Sequence, residues 1–493
     1  MFNRQIYILD KNSPEQSLEG FNVETTEAFH IYYHELNELY KYECEQFTCI
    51  VIGIIVHPEH IVFNLKSLLD DGGEQDFSSV NTLLNRCTGR FYLYYQGADG
   101  QYLRTDATSL AQLNYSQSAR TVATDINLLK TLTTTLTINE SAYQFYKNTF
   151  PNKGNGNAWV GSETIYQEIN KVLPNHVLNL NDFTVTRYWP TQKFQKGEFT
   201  KSVNSIAIDL KGTLQALSQK APLSIAVTGG NDSRIMLAAA KNIKDNYYFI
   251  DMLPFMNKYH IDVVLGKKLC SKAKVKYHIH NDFNSLEEVP ESFKKEFTDS
   301  VFYSTKTRIP EIFFYKQKLA NHINICGVGE FGRSVYGKPN NNCSVTYLCH
   351  KYQCGQSKYA QRVVIDWRNK YKTDVIVNTY PMNTLFYMEQ RLGNWGAVGN
   401  AESDISFEEV NPFASHYIMG LMLQLDGRYT NYTDCKLFKE LILVMAPELD
   451  GIPINPAINI KEKWINKIKA SAFFPYLDSL KGILNNFLKS KVD

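Results

Sequence analysis

The chain has 493 residues, enough for two or three domains with cores of their own, with 21% charged residues and a formal net charge of +2. Such near-neutral bulk charge excludes a dominant polyanion-binding surface, so nucleic acid is not an expected partner. Residues 1–10 lack a basic segment followed by a long apolar core, and the most apolar run, 49–56, is too short to span a bilayer. A soluble cytoplasmic protein with no integral membrane segment is therefore expected.

The first half reads as strands with few long helices. Runs 49–56 and 91–95 are β-branched or aromatic, and Gly97, Asp99 and Gly100 punctuate a hairpin between 91–95 and 102–104. Two sandwiched sheets are expected, closed by a last hairpin from 177–180 and 185–189. The polar stretch 193–200 serves as linker. From Lys201 the period becomes helical, with Val203, Ile206, Leu210, Leu214 and Leu217 on one face.

The apolar run 223–227 then breaks into Thr228, Gly229, Gly230, Asn231, Asp232, Ser233 and Arg234 before a helix-forming stretch to Lys241. Glycines let backbone approach a ligand, and a helix beginning at Ser233 directs unpaired N–H groups and a partial positive charge at an anion. Asp232 would be repelled by phosphate alone and makes sense as a ligand of a bridging Mg²⁺, so Mg-nucleotide or pyrophosphate is the expected ligand. The plainer alternative is a tight turn with Asp232 or Ser233 as an ordinary N-cap. Neither the Walker spacing nor the third glycine of a dinucleotide fingerprint is present. Arg234 either steers phosphate or is solvated on an exposed first turn. Strands at 247–253 and 275–279 flank a helix at 260–273, and His260 and Asp262 are weak site candidates that also simply start that helix.

A later strand, 321–326, ends in Gly327, Val328, Gly329, Glu330, Phe331 and Gly332. Strands alternating with helices imply a parallel sheet whose ligand crevice lies at the carboxyl strand ends, where both glycine turns fall. From Tyr347 helical patterns dominate, including 384–392 and 414–425. Nine cysteines without a leader read as reduced thiols. Cys343, Cys349 and Cys354 with His350 lack paired zinc-knuckle spacing, so no metal is assigned to them. The amphipathic tail 473–491 reads as a terminal helix docked on its own domain or, less simply, on a membrane surface.

The string Thr228 to Ser233 resembles the Ser-Gly-Gly-x-Asp-Ser pyrophosphate loop of the asparagine synthetase superfamily, with threonine keeping the first hydroxyl. Thr88, Gly89, Arg90, Phe91 and the stretch from Arg104, Thr105 and Asp106 to Tyr115 resemble the family's N-terminal glutaminase-type domain. The resemblance implies an N-terminal Ntn-type αββα sandwich over residues 1–195 and a pyrophosphate-loop parallel-sheet domain with a helical extension over 196–493. Glutaminases of this type use a cysteine directly after the initiator methionine. Phe2 stands there, and no cysteine precedes Cys44. Standard glutamine hydrolysis is thus not expected, and the resemblance implies a degenerate glutaminase domain, either a structural remnant or a substrate platform.

The stretch from Cys326 to Gly332 resembles the family's second acidic loop. Glu330 is preferred as its Mg²⁺ carboxylate over Phe331, which cannot coordinate a hard cation, and Glu330 as a plain helix-start residue is the alternative. The segment from Glu389 to Trp395 and that from Glu409 to Phe413 resemble the part bounding the acceptor side, with Asn411 where arginine is usual. With Pro174, Asn175, His176 and the Pro453 to Pro456 segment, the chain is most similar to asparagine-synthetase-like proteins found beside bacterial surface-polysaccharide genes, and more distantly to β-lactam synthetases and lasso-peptide cyclases.

The resemblance implies an ATP-dependent, AMP-forming ligase joining a small-molecule or peptide carboxylate to an amine or ammonia, with a homodimer as a possible state. Asp232 and Glu330 would be catalytic metal ligands. Thr228, Gly229, Gly230, Asn231, Ser233, Gly327 and Gly329 would bind ATP, with adenine stacked near Met252 and Leu253, positions that equally suit core packing. The family's lysine would be one of Lys436, Lys439, Lys461 and Lys463. The alternatives are a catalytically silent nucleotide-binding scaffold of the same fold, or a pyrophosphate-loop enzyme acting on tRNA, which the charge disfavours.

Overall fold

The computed structural model describes residues 2–456 except 15, 71–75, 134, 149–158, 254–255, 356, 433 and 455. The tail 473–491, Lys461 and Lys463 lie outside the described residues.

The fold is mixed α/β, with two six-stranded antiparallel sheets followed by a five-stranded parallel sheet. The two antiparallel sheets face each other, and the period-two alternation of their strands shows how. Ile6 and Ile8 of the strand Ile6–Asp10 meet Ile50, Ile52, Tyr92 and Tyr94 in one core, while Tyr7 and Leu9 point to the opposite face. Cys49 and Val51 of Phe47–Val56 point the other way again, onto Leu65, Leu69, Phe77 and Val80 of two short helices. Both faces of that strand are covered, which is why 49–56 is apolar without alternation. Its neighbour Thr88–Gly97 pairs with it along ten residues and with Gly100–Thr105 through the expected hairpin. Strands Ile6–Asp10, Phe21–Thr25, Phe29–His34 and Leu39–Glu43 carry no strong sequence signal and were not anticipated.

The helix Phe199–Ser218 leads into the parallel sheet. In spatial order its strands are Tyr277–His280, Tyr247–Asp251, Leu223–Ala226, Ile323–Ile325 and Glu408–Val410, every adjacent pair parallel. Helices dominate after Tyr347 as expected, and the fifth strand adds to them: the segment beginning at Glu409 joins the sheet edge, with Glu408 in an ion pair to Arg4 at 2.9 Å. Residues 382–403 form one continuous helical run whose middle, Tyr387–Gly396, is π-helical. Among the described residues no helix is long and apolar enough to cross a membrane.

One buried and two half-buried arginines join the antiparallel-sheet half to the rest. Arg90 pairs bidentately with Asp404, Arg187 with Glu389 (Nη2 to Oε2 2.9 Å), and Arg86 with Asp209 (2.6 Å). Backbones also meet closely: a Cβ at Gly212 would lie 2.0 Å from the Pro58 carbonyl oxygen.

Burial, with the Arg187 charge beside it, holds His176 down to about 4, while its Nδ1 bonds the Pro174 carbonyl at 2.9 Å. A ring whose folded-state pKa is depressed contributes stability above its ordinary value of 6.5 and loses it as pH falls toward 4. Unfolding stability is expected to drop between pH 7.5 and pH 5, by about 2 kcal/mol from this residue alone. Urea titrations at the two pH values check this, and His176→Gln is expected to flatten that share of the dependence.

Candidate functional site

The carboxyl ends of two adjacent strands, Leu223–Ala226 and Ile323–Ile325, open onto one cavity of about 320 Å³. Thr228, Gly230, Asp232 and Ser233 line it from the first loop, and Cys326, Gly327 and Val328 from the second. The two glycine turns therefore face one site. Their approach is tight: a Cβ at Gly327 would lie 3.3 Å from the Asp232 carbonyl oxygen and 3.1 Å from Met236 Cγ, so any side chain there would push the helix or Met236 back by a few tenths of an ångström.

The helix after the first loop spans Asn231–Ala240 with Gly230 as N-cap, so it starts two residues before Ser233. This corrects the expected helix start. Glycine offers no side-chain acceptor, and the cap carries no side-chain hydrogen bond, so the first-turn amides have no capping group. Ser233 closes the loop on itself: its Oγ accepts from the Thr228 amide at 3.1 Å and lies 3.0 Å from Thr228 Oγ1, which accepts from the Gly230 amide at 3.3 Å.

Asp232 and Glu330 meet through a residue that sequence reasoning missed. Arg333 donates to Asp232 Oδ2 at 2.8 Å and stands 3.7 Å from Glu330 Oε1. Tyr387, on the π-helical segment, donates its hydroxyl to Glu330 Oε2. Burial pushes Asp232 up to about 6, against the pull of Arg333 and with a further push from Glu330. Asp232 Oδ1, Asn231 Oδ1 and Arg333 Nε are buried without hydrogen-bond partners among the described residues. A buried carboxylate oxygen without a partner is costly, and a hard cation or a bound polar ligand would satisfy it. The two carboxylates are therefore of the right donor chemistry for Mg²⁺, with Arg333 as a resident positive charge between them. Among the described residues no group of three or more His, Cys, Asp or Glu side chains converges as a metal site.

On the other flank of Asn231 lies a cavity of about 600 Å³, lined by Arg333, Lys439 and the end of the described chain near Ile452. Of the four lysines considered, Lys439 lines this space. Lys436 sits over the Phe199 and Tyr429 rings instead.

Several expectations change. Arg234 is buried, 1% exposed, and donates to the carbonyls of Ile452 (2.6 Å) and Pro453 (2.9 Å) and to Gly229 O (3.3 Å). It ties the loop to the C-terminal segment and is neither solvated nor free to steer phosphate. Met252 does not line the 320 Å³ cavity; its amide continues the sheet by bonding His280 O at 2.8 Å, and Leu253 is exposed. Gly329 packs against the Phe413 ring, and Asn411 bonds Val328 O at 3.0 Å, holding the second loop from behind. Glu389 is fully buried among Arg187, Asn175 and Trp367.

Asp262 does more than start its helix Ile261–Ala273: its Oδ1 accepts the Gly229 amide at 2.9 Å. Asp262→Ala is expected to loosen the loop and weaken nucleotide binding about five- to tenfold. Asp262→Asn, which keeps an acceptor and removes an anion, is expected to bind at least as tightly as the parent, measured with a fluorescent nucleotide.

No family model matches the chain, and no curated protein matches it. Among solved structures, the NH3-dependent NAD synthetase from Campylobacter jejuni subsp. jejuni NCTC 11168, in complex with the nitrate ion, is 13% identical to it at a TM-score of 0.19. That match covers 28% of this chain and 60% of the synthetase chain, a likeness too slight to carry an argument.

Proposed function

We propose that the chain is an ATP-dependent, AMP-forming carbon–nitrogen ligase of the asparagine synthetase type, with residues 1–195 as a degenerate glutaminase-like Ntn sandwich and 196–493 as the ATP-pyrophosphatase domain. The observation that carries this reading is the sharing of one cavity by an uncapped helix start at Asn231 and a second glycine loop, with Asp232 and Glu330 held together at its side. In the proposed reaction a substrate carboxylate oxygen attacks the α-phosphorus of ATP, the bond to the β-phosphate oxygen breaks, and pyrophosphate leaves. An amine then displaces AMP from the acyl-adenylate. Thr228 to Ser233 cradle the leaving pyrophosphate with amides and hydroxyls, and Arg333 and Lys439 neutralise developing negative charge. Mg²⁺, held by Asp232 Oδ1 and Glu330, would supply further charge neutralisation. The proposed compartment is the cytoplasm.

One observation favours a second reading, a silent nucleotide-binding scaffold: Arg333 already occupies Asp232 Oδ2, so one oxygen of the acidic pair is satisfied within the chain. ATP–pyrophosphate exchange with a panel of small carboxylic acids separates the two. Carboxylate-dependent exchange supports the ligase, and nucleotide binding with no exchange across the panel supports the scaffold.

A further inference from the structure

Three of the nine cysteines, Cys343, Cys349 and Cys354, lie close together in sequence, and the cavity at the glycine loops uses none of them. The helix Val345–Tyr352 decides how they sit. It ends at Gln353, which is left-handed with φ 61°, a position that glycine or asparagine usually fills. The Gln353 amide bonds the His350 carbonyl at 3.1 Å, and the Cys354 amide bonds the Cys349 carbonyl at 3.0 Å. Such paired bonds fold the residue after the left-handed one back over the last helical turn, so that the side chains at the two ends of the motif meet. Apolar residues usually make that contact. Here both positions are cysteine.

The two sulfurs are in hydrogen-bond contact. Cys354 donates its S–H to the Cys349 sulfur, which holds the Cys349 thiol below its usual range and pushes that of Cys354 well above it. One sulfur is thus the readier nucleophile, and the other stands beside it with a proton to give up. Each residue is 2% exposed, so a reagent reaches them when the turn opens, and the turn is at the surface, with Gln353 exposed. Cys343 is turned to another partner, donating to the Asn340 carbonyl at 3.7 Å.

The same helix end is a joint in the fold. The Tyr352 hydroxyl meets the carbonyls of Trp159 and of Gln390, the latter at 2.8 Å, and Gln390 belongs to the π-helical segment that carries Tyr387. A covalent bond between Cys349 and Cys354 would fasten that end.

We infer that Cys349 and Cys354 form a peroxide-sensing pair that closes reversibly into a disulfide. The Cys349 sulfur attacks one oxygen of hydrogen peroxide, the O–O bond breaks, and the departing hydroxide leaves as water with the thiol proton, giving a sulfenic acid. The Cys354 sulfur then attacks the Cys349 sulfur, the S–O bond breaks, and the Cys354 proton leaves with the hydroxide as a second water. Two thiols are oxidised and one peroxide is reduced. Intracellular disulfides are usually of this transient kind, and low-molecular-weight thiols reopen them by exchange. Nothing in this inference rests on the ligase reading.

The test treats the reduced full chain with hydrogen peroxide at neutral pH without denaturant, alkylates the remaining thiols and maps the peptides by mass spectrometry. A bond between Cys349 and Cys354, seen as the loss of two hydrogens and reversed by dithiothreitol, is expected. Cys354→Ser is expected to stop at the sulfenic acid, so that Cys349 takes up about tenfold more dimedone than in the parent. The inference is overturned if the folded parent keeps both thiols free, if the bond closes only in urea, if either sulfur pairs with Cys343, or if a folded Cys354→Ser takes up no more dimedone at Cys349 than the parent.

Discussion

Replacing Asp232 by alanine is expected to lower carboxylate-dependent ATP–pyrophosphate exchange about 10²-fold or more while shifting the unfolding midpoint little. The loss follows from the position of the carboxylate. It sits in the first turn of a helix that begins at Asn231, beside a cavity where amides and hydroxyls converge, and its Oδ1 is buried without a partner. Removing one preorganised charge-stabilising group from such a site costs that order of rate. The fold loses less, because Arg333 keeps Glu330 3.7 Å away and Arg234 still staples the loop to Ile452 and Pro453. Glu330→Gln is expected to lower exchange as well, and Tyr387→Phe less, since Tyr387 only orients Glu330.

Arg90→Ala is expected to destabilise the protein by about 3–5 kcal/mol, the usual cost of leaving one partner of a buried ion pair alone. Arg90 is 5% and Asp404 1% exposed, and Asp404 also lies close to Arg4, whose guanidinium bonds its carbonyl. With Arg90 gone, burial would leave the Asp404 carboxyl uncompensated between the antiparallel sheet and the strand Glu408–Val410. Arg90→Lys is not expected to rescue, because the bond is a two-pronged guanidinium–carboxylate contact. Exchanging both partners for apolar residues, Arg90→Met with Asp404→Leu, is expected to recover most of the loss. Urea unfolding of the three variants measures these differences.

What the sequence disclosed and what it withheld divide along sequence distance. The run ending at Val227, the two glycines and the following helical period lie within twenty residues, and strand, turn and helix follow from local rules. The parallel sheet was legible from strands alternating with helices, and the 88–105 hairpin from its glycine punctuation. Arg333 was not legible, because its bond to Asp232 spans 101 residues and nothing near it marks an inward-facing arginine. Arg234 misled for the same reason: a charged residue in a first helical turn reads as solvated, and the carbonyls that bury it come from 218 and 219 residues away. Asp262 had a local cue, a carboxylate opening a helix after a strand, but its acceptor role needed the fold that sets it against Gly229. The strand Glu408–Val410 is three residues long with two glutamates, and partners distant in sequence, Arg4 and Arg90 at Glu408 and Arg308 near Glu409, with the nearer Ser403, make those charges acceptable there.

The most direct measurement of the central claim is calorimetric titration of the full chain with ATP in magnesium and in EDTA, repeated with Asp232→Ala. The account predicts one saturable, magnesium-dependent site that pyrophosphate competes for and that the substitution weakens at least tenfold. Absence of binding in magnesium, or equal affinity in the parent and the variant, would contradict it.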